Sequence, residues 1–314
     1  MAENGNNADE LRKYLDPAVL ARIRGLDLRT RLIVEGFLVG MHRSPYQGLS
    51  VEFHQHREYV PGDEIKHLDW KVWARNDRFY VKQYEEDTNL RCTLLLDASR
   101  SMRYGEKRGG ASKFDVACTL AASLAYLLNR QQDAVGLVTF DVDVRRNLPA
   151  RSSTPHLNTV FGALEETRPD DRTDVAAVFP RLAGEIRRRG MVVLISDLLA
   201  DLPALEAGLR RFRARRHEVV VFHVLHDEEL TFPFRDNTLF RGLEVDAEIL
   251  TEPPALRHAY LENLQRFISR IRRLCADNGI DYVLLNTKDP LDAGLSGYLA
   301  FRRRTATARA ATRL

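Results

Sequence analysis

This chain has few cysteines and no long apolar run, and both absences exclude whole classes of protein. Its 314 residues include only three cysteines, Cys92, Cys118 and Cys275. They are far apart and lie within apolar patterns, so buried free thiols are expected rather than disulfides or zinc ligands. No apolar run approaches the roughly 18 residues of a membrane span. The polar N-terminus M-A-E-N-G-N-N-A-D-E lacks a signal pattern. We therefore expect a cytoplasmic protein without a membrane span.

An excess of charge of one sign is also missing. There are 47 basic and 44 acidic residues, which gives a net charge of +3. A nucleic-acid binder that works by neutralising phosphates would be far more basic. Arginines cluster at 187–189, 210–216 and 302–304, but acidic residues are interspersed and no stacking aromatics accompany them. We interpret them as solvated helix faces and helix ends, and expect no nucleic-acid partner. A nucleic-acid-binding module stays open as an alternative.

The motifs of two common enzyme classes are absent. There is no G-x-S-x-G around a nucleophilic serine. The glycine-rich stretch 105–113 does not match the phosphate-binding pattern G-x-x-x-x-G-K-[ST]. The sequence therefore does not predict an enzyme. A magnesium-dependent phosphoesterase stays open as an alternative, although a two-metal site needs more carboxylate ligands than the pattern below offers.

Short apolar runs alternate with helical patterns through most of the chain. Predicted buried strands include 134–140, 191–195, 218–225 and 281–286, and 142–148 is expected to pair with the first of these as a hairpin. This alternation predicts an α/β fold: a Rossmann-type, mostly parallel sheet with helices on both faces. We predict an N-terminal extension at 1–88, the α/β domain at 89–290 with a hairpin excursion near 227–252, and a C-terminal helix and tail at 291–314.

One stretch, C-T-L-L-L-D-A-S-R-S from Cys92 to Ser101, combines a buried strand with a polar turn. Asp97, Ser99 and Ser101 then lie at the carboxyl end of the strand, which is the edge where open α/β sheets bind ligands. A carboxylate and two hydroxyls form an oxygen-only site. Such a site suits magnesium, calcium or manganese and does not suit zinc.

The D-x-S-x-S pattern resembles the metal-ion-dependent adhesion site of von Willebrand factor A domains. In that family a distant threonine and a second aspartate complete the site, and Thr173 in R-T-D and Asp197 in I-S-D follow in the expected order. The resemblance implies that Ser99 and Ser101 ligate Mg²⁺ (or Ca²⁺ or Mn²⁺) directly, and Thr173 directly or through water. Asp97 and Asp197 would hold ligands or waters. A cation-free polar turn that only caps neighbouring helices is the alternative.

The N-terminal third resembles the bacterial DUF58 family in the segments G-L-S-V-E-F, R-E-Y-V-P-G-D-E-I-K-H-L-D-W and W-A-R. That family places such a block directly before a von Willebrand factor A-like region. The resemblance implies a metal-dependent protein–protein interaction module, without turnover. Its implied partners are an AAA+ ATPase of the MoxR class and a client protein that offers an acidic side chain, so this chain would act as an adaptor in maturing or remodelling protein complexes.

A second group of polar residues precedes the α/β region. His54, His56 and His67, with Asp63 and Asp69, are a weaker candidate for a transition-metal cluster, because surface histidines on strands without cysteine partners are mostly plain polar residues. We interpret Asp63, Asp69 and Trp70 as residues that fix the N-terminal block onto the A-like domain.

Overall fold

The computed structural model describes residues 26–43, 56–58, 80–82, 90–106, 110–291 and 295–296. Contacts divide the chain into two compact units. One unit is Met41–Asn89, and the other combines Met1–Gly40 with Leu90–Leu314. The predicted boundaries at 88 and 290 stay a prediction.

In the smaller unit the structure describes one short antiparallel pair. Strands β1 (His56–Glu58) and β2 (Tyr80–Lys82) pair so that Arg57 lies opposite Val81. The candidate histidine cluster and the residues Asp63, Asp69 and Trp70 lie outside the described residues, apart from the backbone of His56. Their proposed roles stay predictions.

The larger unit is built on a six-stranded sheet. Its strands in chain order are β3 (Arg91–Asp97), β4 (Ala134–Phe140), β5 (Val144–Arg151), β6 (Met191–Ser196), β7 (Glu218–Leu225) and β10 (Asp281–Asn286). Their order across the sheet is β10-β7-β6-β3-β4-β5, and only the β4–β5 pair is antiparallel. The predicted strand at 142–148 is present as the edge strand β5, but it begins two residues later and ends three residues further along the chain.

Helices connect the parallel strands and cover the sheet. They are α1 (Leu26–Arg43), α2 (Lys113–Arg130), α3 (Thr154–Glu166), α4 (Val175–Glu185), α5 (Leu202–Ala214), α6 (Asp227–Thr231) and α7 (Pro253–Asp277). Within the described part of the chain, no helix has the length and apolar character needed to cross a membrane.

The two faces of the sheet carry separate apolar layers. Leu95 and Leu194 pack with residues of α4, α5 and α7 in one buried cluster. Leu94 and Leu96 point the other way, as alternate strand residues must, and are fully buried on the face that α2 covers. The predicted fold class, an α/β fold with a mostly parallel sheet and helices on both faces, is confirmed.

The excursion between β7 and α7 differs in part from its prediction. Strands β8 (Thr238–Arg241) and β9 (Glu248–Thr251) form the expected antiparallel hairpin, but the short helix α6 precedes it. The hairpin is anchored through Phe240, which stacks on Phe232 with ring centroids 5.8 Å apart, and Phe232 contacts Tyr260 of α7 at 4.6 Å. Of the predicted C-terminal helix at 291–304, the structure describes only Leu291, Leu295 and Ser296.

Helices α4 and α5 approach closely because Gly208 leaves room for an aromatic ring. Phe179 of α4 contacts Phe140 and Phe212 edge-to-face, with centroids 5.7 and 5.9 Å apart. A Cβ added at Gly208 would overlap the Phe179 ring and lie 2.7 Å from its Cβ atom. Mid-helix Gly162 of α3, in contrast, has open space where a Cβ would lie.

These two glycines should respond oppositely to alanine. Gly208→Ala is expected to destabilise the protein by about 1–3 kcal/mol, because overpacking displaces Phe179. Gly162→Ala is expected to stabilise it by about 0.5–1 kcal/mol, since alanine favours the helix without a clash. Urea unfolding of both variants measures the two shifts. Equal shifts of the same sign would contradict the close approach at Gly208.

Candidate functional site

Parallel pairing of β3 with β6 brings two distant polar segments together. Leu96 lies opposite Ile195, so the next residues, Asp97 and Ser196, are neighbours at the carboxyl edge of the sheet. Asp97 is fully buried, and Ser196 Oγ donates a hydrogen bond to its Oδ2 at 2.5 Å. The carboxylate is thereby held in one orientation at the base of the site.

The two serines of the motif lie directly above this carboxylate. The Ser99 amide donates to Asp97 Oδ1 at 2.9 Å. The Ser99 and Ser101 hydroxyl oxygens are 3.0 Å apart and are buried where the short 3₁₀ helix Arg100–Arg103 begins. Both predicted hydroxyl ligands therefore point to the same place.

Thr173 reaches the site from the loop that joins α3 to α4. This loop is tied to the motif by backbone hydrogen bonds, from the Arg100 amide to the Asp171 carbonyl at 2.6 Å and from the Asp170 amide to the Ala98 carbonyl at 3.3 Å. Thr173 Oγ1 lies 3.5 Å from Asp97 Oδ1. The threonine and the D-x-S-x-S turn are thus brought together, although 76 residues separate Thr173 from Asp97.

Asp197 is held by a buried lysine that the sequence analysis did not single out. Lys113, the first residue of α2, donates from Nζ to Asp197 Oδ2 at 2.7 Å and to Glu229 Oε1 at 3.0 Å. Lys113 and Asp197 are fully buried. A capping box of Ser112 and Asp115 begins α2 at Lys113. The Leu199 amide donates to the other oxygen of Asp197 at 3.2 Å, so both oxygens of this carboxylate accept a hydrogen bond.

Burial and neighbouring charge set the two aspartates apart. Burial raises the pKa of Asp97 to about 7, and the charge of Asp197 adds to this effect. Burial alone would also raise the pKa of Asp197, but the ion pair and hydrogen bond with Lys113 outweigh it and lower that pKa. Asp197 is thus the more firmly ionised carboxylate of the pair.

A further carboxylate comes from the excursion. Glu244, in the turn between β8 and β9, accepts hydrogen bonds from the Ser101 amide at 3.3 Å and from the Thr173 amide at 3.4 Å. Its two oxygens therefore bridge the two loops that carry the hydroxyls. No local pattern in the sequence indicates this contact.

The donor atoms fit a hard divalent cation. Around octahedral Mg²⁺, with ligands at about 2.1 Å, neighbouring ligand atoms are about 3 Å apart. The Ser99 and Ser101 hydroxyls have this separation. Within the described residues, no group of three or more His, Cys, Asp or Glu side chains is arranged to hold a metal ion. A cation at this edge would therefore depend on the hydroxyls of Ser99, Ser101 and Thr173.

Of the residues that the sequence analysis missed, only Lys113 and Ser196 left a signal. A lysine directly after the capping serine is unusual, because the helix N-terminus repels a cation. The Lys113 ammonium can be buried because the carboxylates of Asp197 and Glu229 offset its charge. Ser196 stands in the quoted I-S-D segment, but its hydrogen bond to Asp97 depends on the order of the strands.

Removal of the Lys113 charge should be costly. Lys113→Met is expected to lower the free energy of unfolding by about 3–5 kcal/mol, because it leaves buried Asp197 without its cation. The control Arg146→Met removes an exposed ion pair with Glu166 and should cost less than about 1 kcal/mol. Urea unfolding compares the two. Similar losses in both variants would show that the buried pair has no special weight.

The chain is similar to several proteins of known sequence or structure. An uncharacterised protein of Mycobacterium tuberculosis, Rv1480, is 28% identical over 298 residues, which are 93% of this chain and 92% of that protein. The crystal structure of the conserved hypothetical protein BatB from Bacteroides thetaiotaomicron matches with a TM-score of 0.48 and 17% identity, over 68% of this chain and 99% of BatB. The SpRpn10 VWA domain matches with a TM-score of 0.36 and 12% identity, over 66% of this chain and 93% of that domain.

One family covers more than half of the sequence. The match spans residues 55–267 and so includes all five residues of the predicted metal site. This chain belongs to the family described as "Protein of unknown function DUF58".

Proposed function

We propose that this protein is a divalent-metal-dependent protein–protein interaction module that performs no turnover of its own. The observation that carries the proposal is that the paired Ser99 and Ser101 hydroxyls and the Thr173 hydroxyl all lie next to the segment that begins at the buried carboxylate of Asp97. These hydroxyls would hold Mg²⁺, or Ca²⁺ or Mn²⁺, while Asp97 and Asp197 would orient ligands or waters around it.

The charge of these donors explains why such a site would bind a partner. Three neutral hydroxyls leave a divalent cation poorly neutralised. Lys113 already offsets the charge of Asp197. The oxygens of Asp97 already accept hydrogen bonds from Ser99, Ser196 and Thr173. The cation would therefore attract a further carboxylate, which a partner can supply from an Asp or Glu side chain.

The resemblance to the DUF58 family suggests which class of protein the partner belongs to. In this proposal a MoxR-type AAA+ ATPase hydrolyses ATP, and this chain connects it to a client protein that presents an acidic side chain. The three cysteines are buried thiols that form no disulfide with one another, which suits a reducing, cytoplasmic compartment.

The contacts of Lys113 and of two arginines favour this role over the alternatives. A two-metal phosphoesterase needs several carboxylates that ligate directly, whereas the described residues hold no group of three or more His, Cys, Asp or Glu side chains arranged for a metal, and the charge of Asp197 is paired with Lys113. Two of the clustered arginines serve the fold: Arg210 and Arg213 donate hydrogen bonds to Asn278 at 3.0 and 3.2 Å. They are therefore less available to phosphates.

Metal binding is tested directly by titrating the purified chain with Mn²⁺. Wild type should bind one ion, and Ser101→Ala and Thr173→Ala should each weaken binding by about tenfold or more, because each removes a ligand oxygen (about 1.4 kcal/mol per factor of ten). Ser153→Ala is the matched control, since Ser153 is exposed and its side chain makes no cap hydrogen bond. Equal affinity in all four proteins would contradict the site.

Partner binding follows from the same site. A MoxR-type ATPase and its client should be retained by the wild-type chain with Mg²⁺, and lost with chelator or with Ser101→Ala. Retention of the same partners in all three samples would contradict metal-mediated docking.

A further inference from the structure

We propose that the Glu244 carboxylate occupies the place in the site that a partner's acidic side chain would take. The partner's side chain must therefore displace Glu244. This inference rests on the proposed function, because it concerns how that same site is regulated. It begins from the two hydrogen bonds that Glu244 accepts from the Ser101 and Thr173 amides, at 3.3 and 3.4 Å.

The position of Glu244 is specific to the loops that carry the hydroxyls. Ser101 and Thr173 are far apart in the chain, yet one carboxylate contacts the backbone of both, one oxygen on each amide. A carboxylate that accepts hydrogen bonds from both the Ser101 and the Thr173 amide stabilises both loops at once. A carboxylate supplied from outside would gain the same two hydrogen bonds, so the two ligands exclude each other.

The turn that carries Glu244 is built to present it. Strands β8 and β9 end at Arg241 and Glu248, and the Gly242 amide donates to the Ala247 carbonyl at 2.8 Å, which closes the turn. A Cβ at Gly242 would overlap the Val245 carbonyl, so only glycine permits this tight turn. Glu244 lies at its tip, half-buried against the site.

The tip is held less firmly than the base of the hairpin. The base packs through Phe240 and Phe232 onto Tyr260 of α7. At the tip, the contacts of Glu244 are long for hydrogen bonds, and its neighbours Leu243 and Val245 are 37% and 70% exposed. Release of the tip would therefore expose little new apolar surface. A glutamate of the partner that lies between aliphatic side chains could make the same contacts and so replace Glu244.

Competition between the Glu244 carboxylate and a carboxylate from outside can be measured with a peptide copied from the turn that carries Glu244. A labelled cyclic peptide with the sequence of residues 241–248, R-G-L-E-V-D-A-E, is titrated into the full-length protein with Mg²⁺. Wild type is compared with Glu244→Gln and with Asp246→Asn. The control removes one exposed carboxylate from the same turn and leaves Glu244 in place. Mn²⁺ binding is measured on the same three proteins.

Glu244→Gln should bind the peptide about tenfold more tightly than wild type, because a tethered ligand competes at a millimolar effective concentration. Asp246→Asn should behave as wild type, and a peptide with glutamine at the position of Glu244 should not bind. Equal peptide affinity in wild type and Glu244→Gln would overturn the inference, as would a failure of Glu244→Gln to bind the peptide. In both cases, measurable Mn²⁺ binding leaves the proposed function standing. Absence of Mn²⁺ binding in all three proteins overturns both the proposed function and this inference.

Discussion

The buried ion pair between Lys113 and Asp197 is the interaction on which the arrangement of the site depends. It joins the first residue of α2 to the end of β6, and Glu229 extends it to the short helix after β7. A buried charge without a partner costs several kcal/mol, so these three elements cannot separate cheaply. The ion pair thereby fixes the position of Asp197 and offsets its charge.

The remaining polar groups are arranged around Asp97 by a chain of hydrogen bonds. Ser196 holds one carboxylate oxygen, and the Ser99 amide and Thr173 hydroxyl approach the other. The hydroxyl oxygens are therefore oriented before any ligand arrives. In the proposed function these carboxylates orient neighbouring ligands and leave a bound cation partly un-neutralised, which would favour reversible binding of an acidic partner.

The excursion between β7 and α7 contributes carboxylates on opposite sides of this arrangement. Glu229 of α6 contacts Lys113, and Glu244 of the hairpin contacts the Ser101 and Thr173 loops. The exposed aliphatic residues Val245, Ile249 and Leu250 lie on the same hairpin. One inserted segment thus contacts both the buried ion pair and the loops that carry the hydroxyls.

The sequence by itself determined the local parts of this protein. The strands at 134–140, 218–225 and 281–286 have the predicted bounds, and the first two are apolar runs of the kind that central strands buried on both faces show. The capping box at Ser112 and the polar turn after β3 were likewise visible, since each depends on residues a few positions apart. The tertiary structure alone decided what those parts contact. Lys113 meets Asp197 across 84 residues, and Glu244 meets Ser101 across 143. Such pairs are set by the strand order and by the path of an irregular excursion, which no local periodicity encodes.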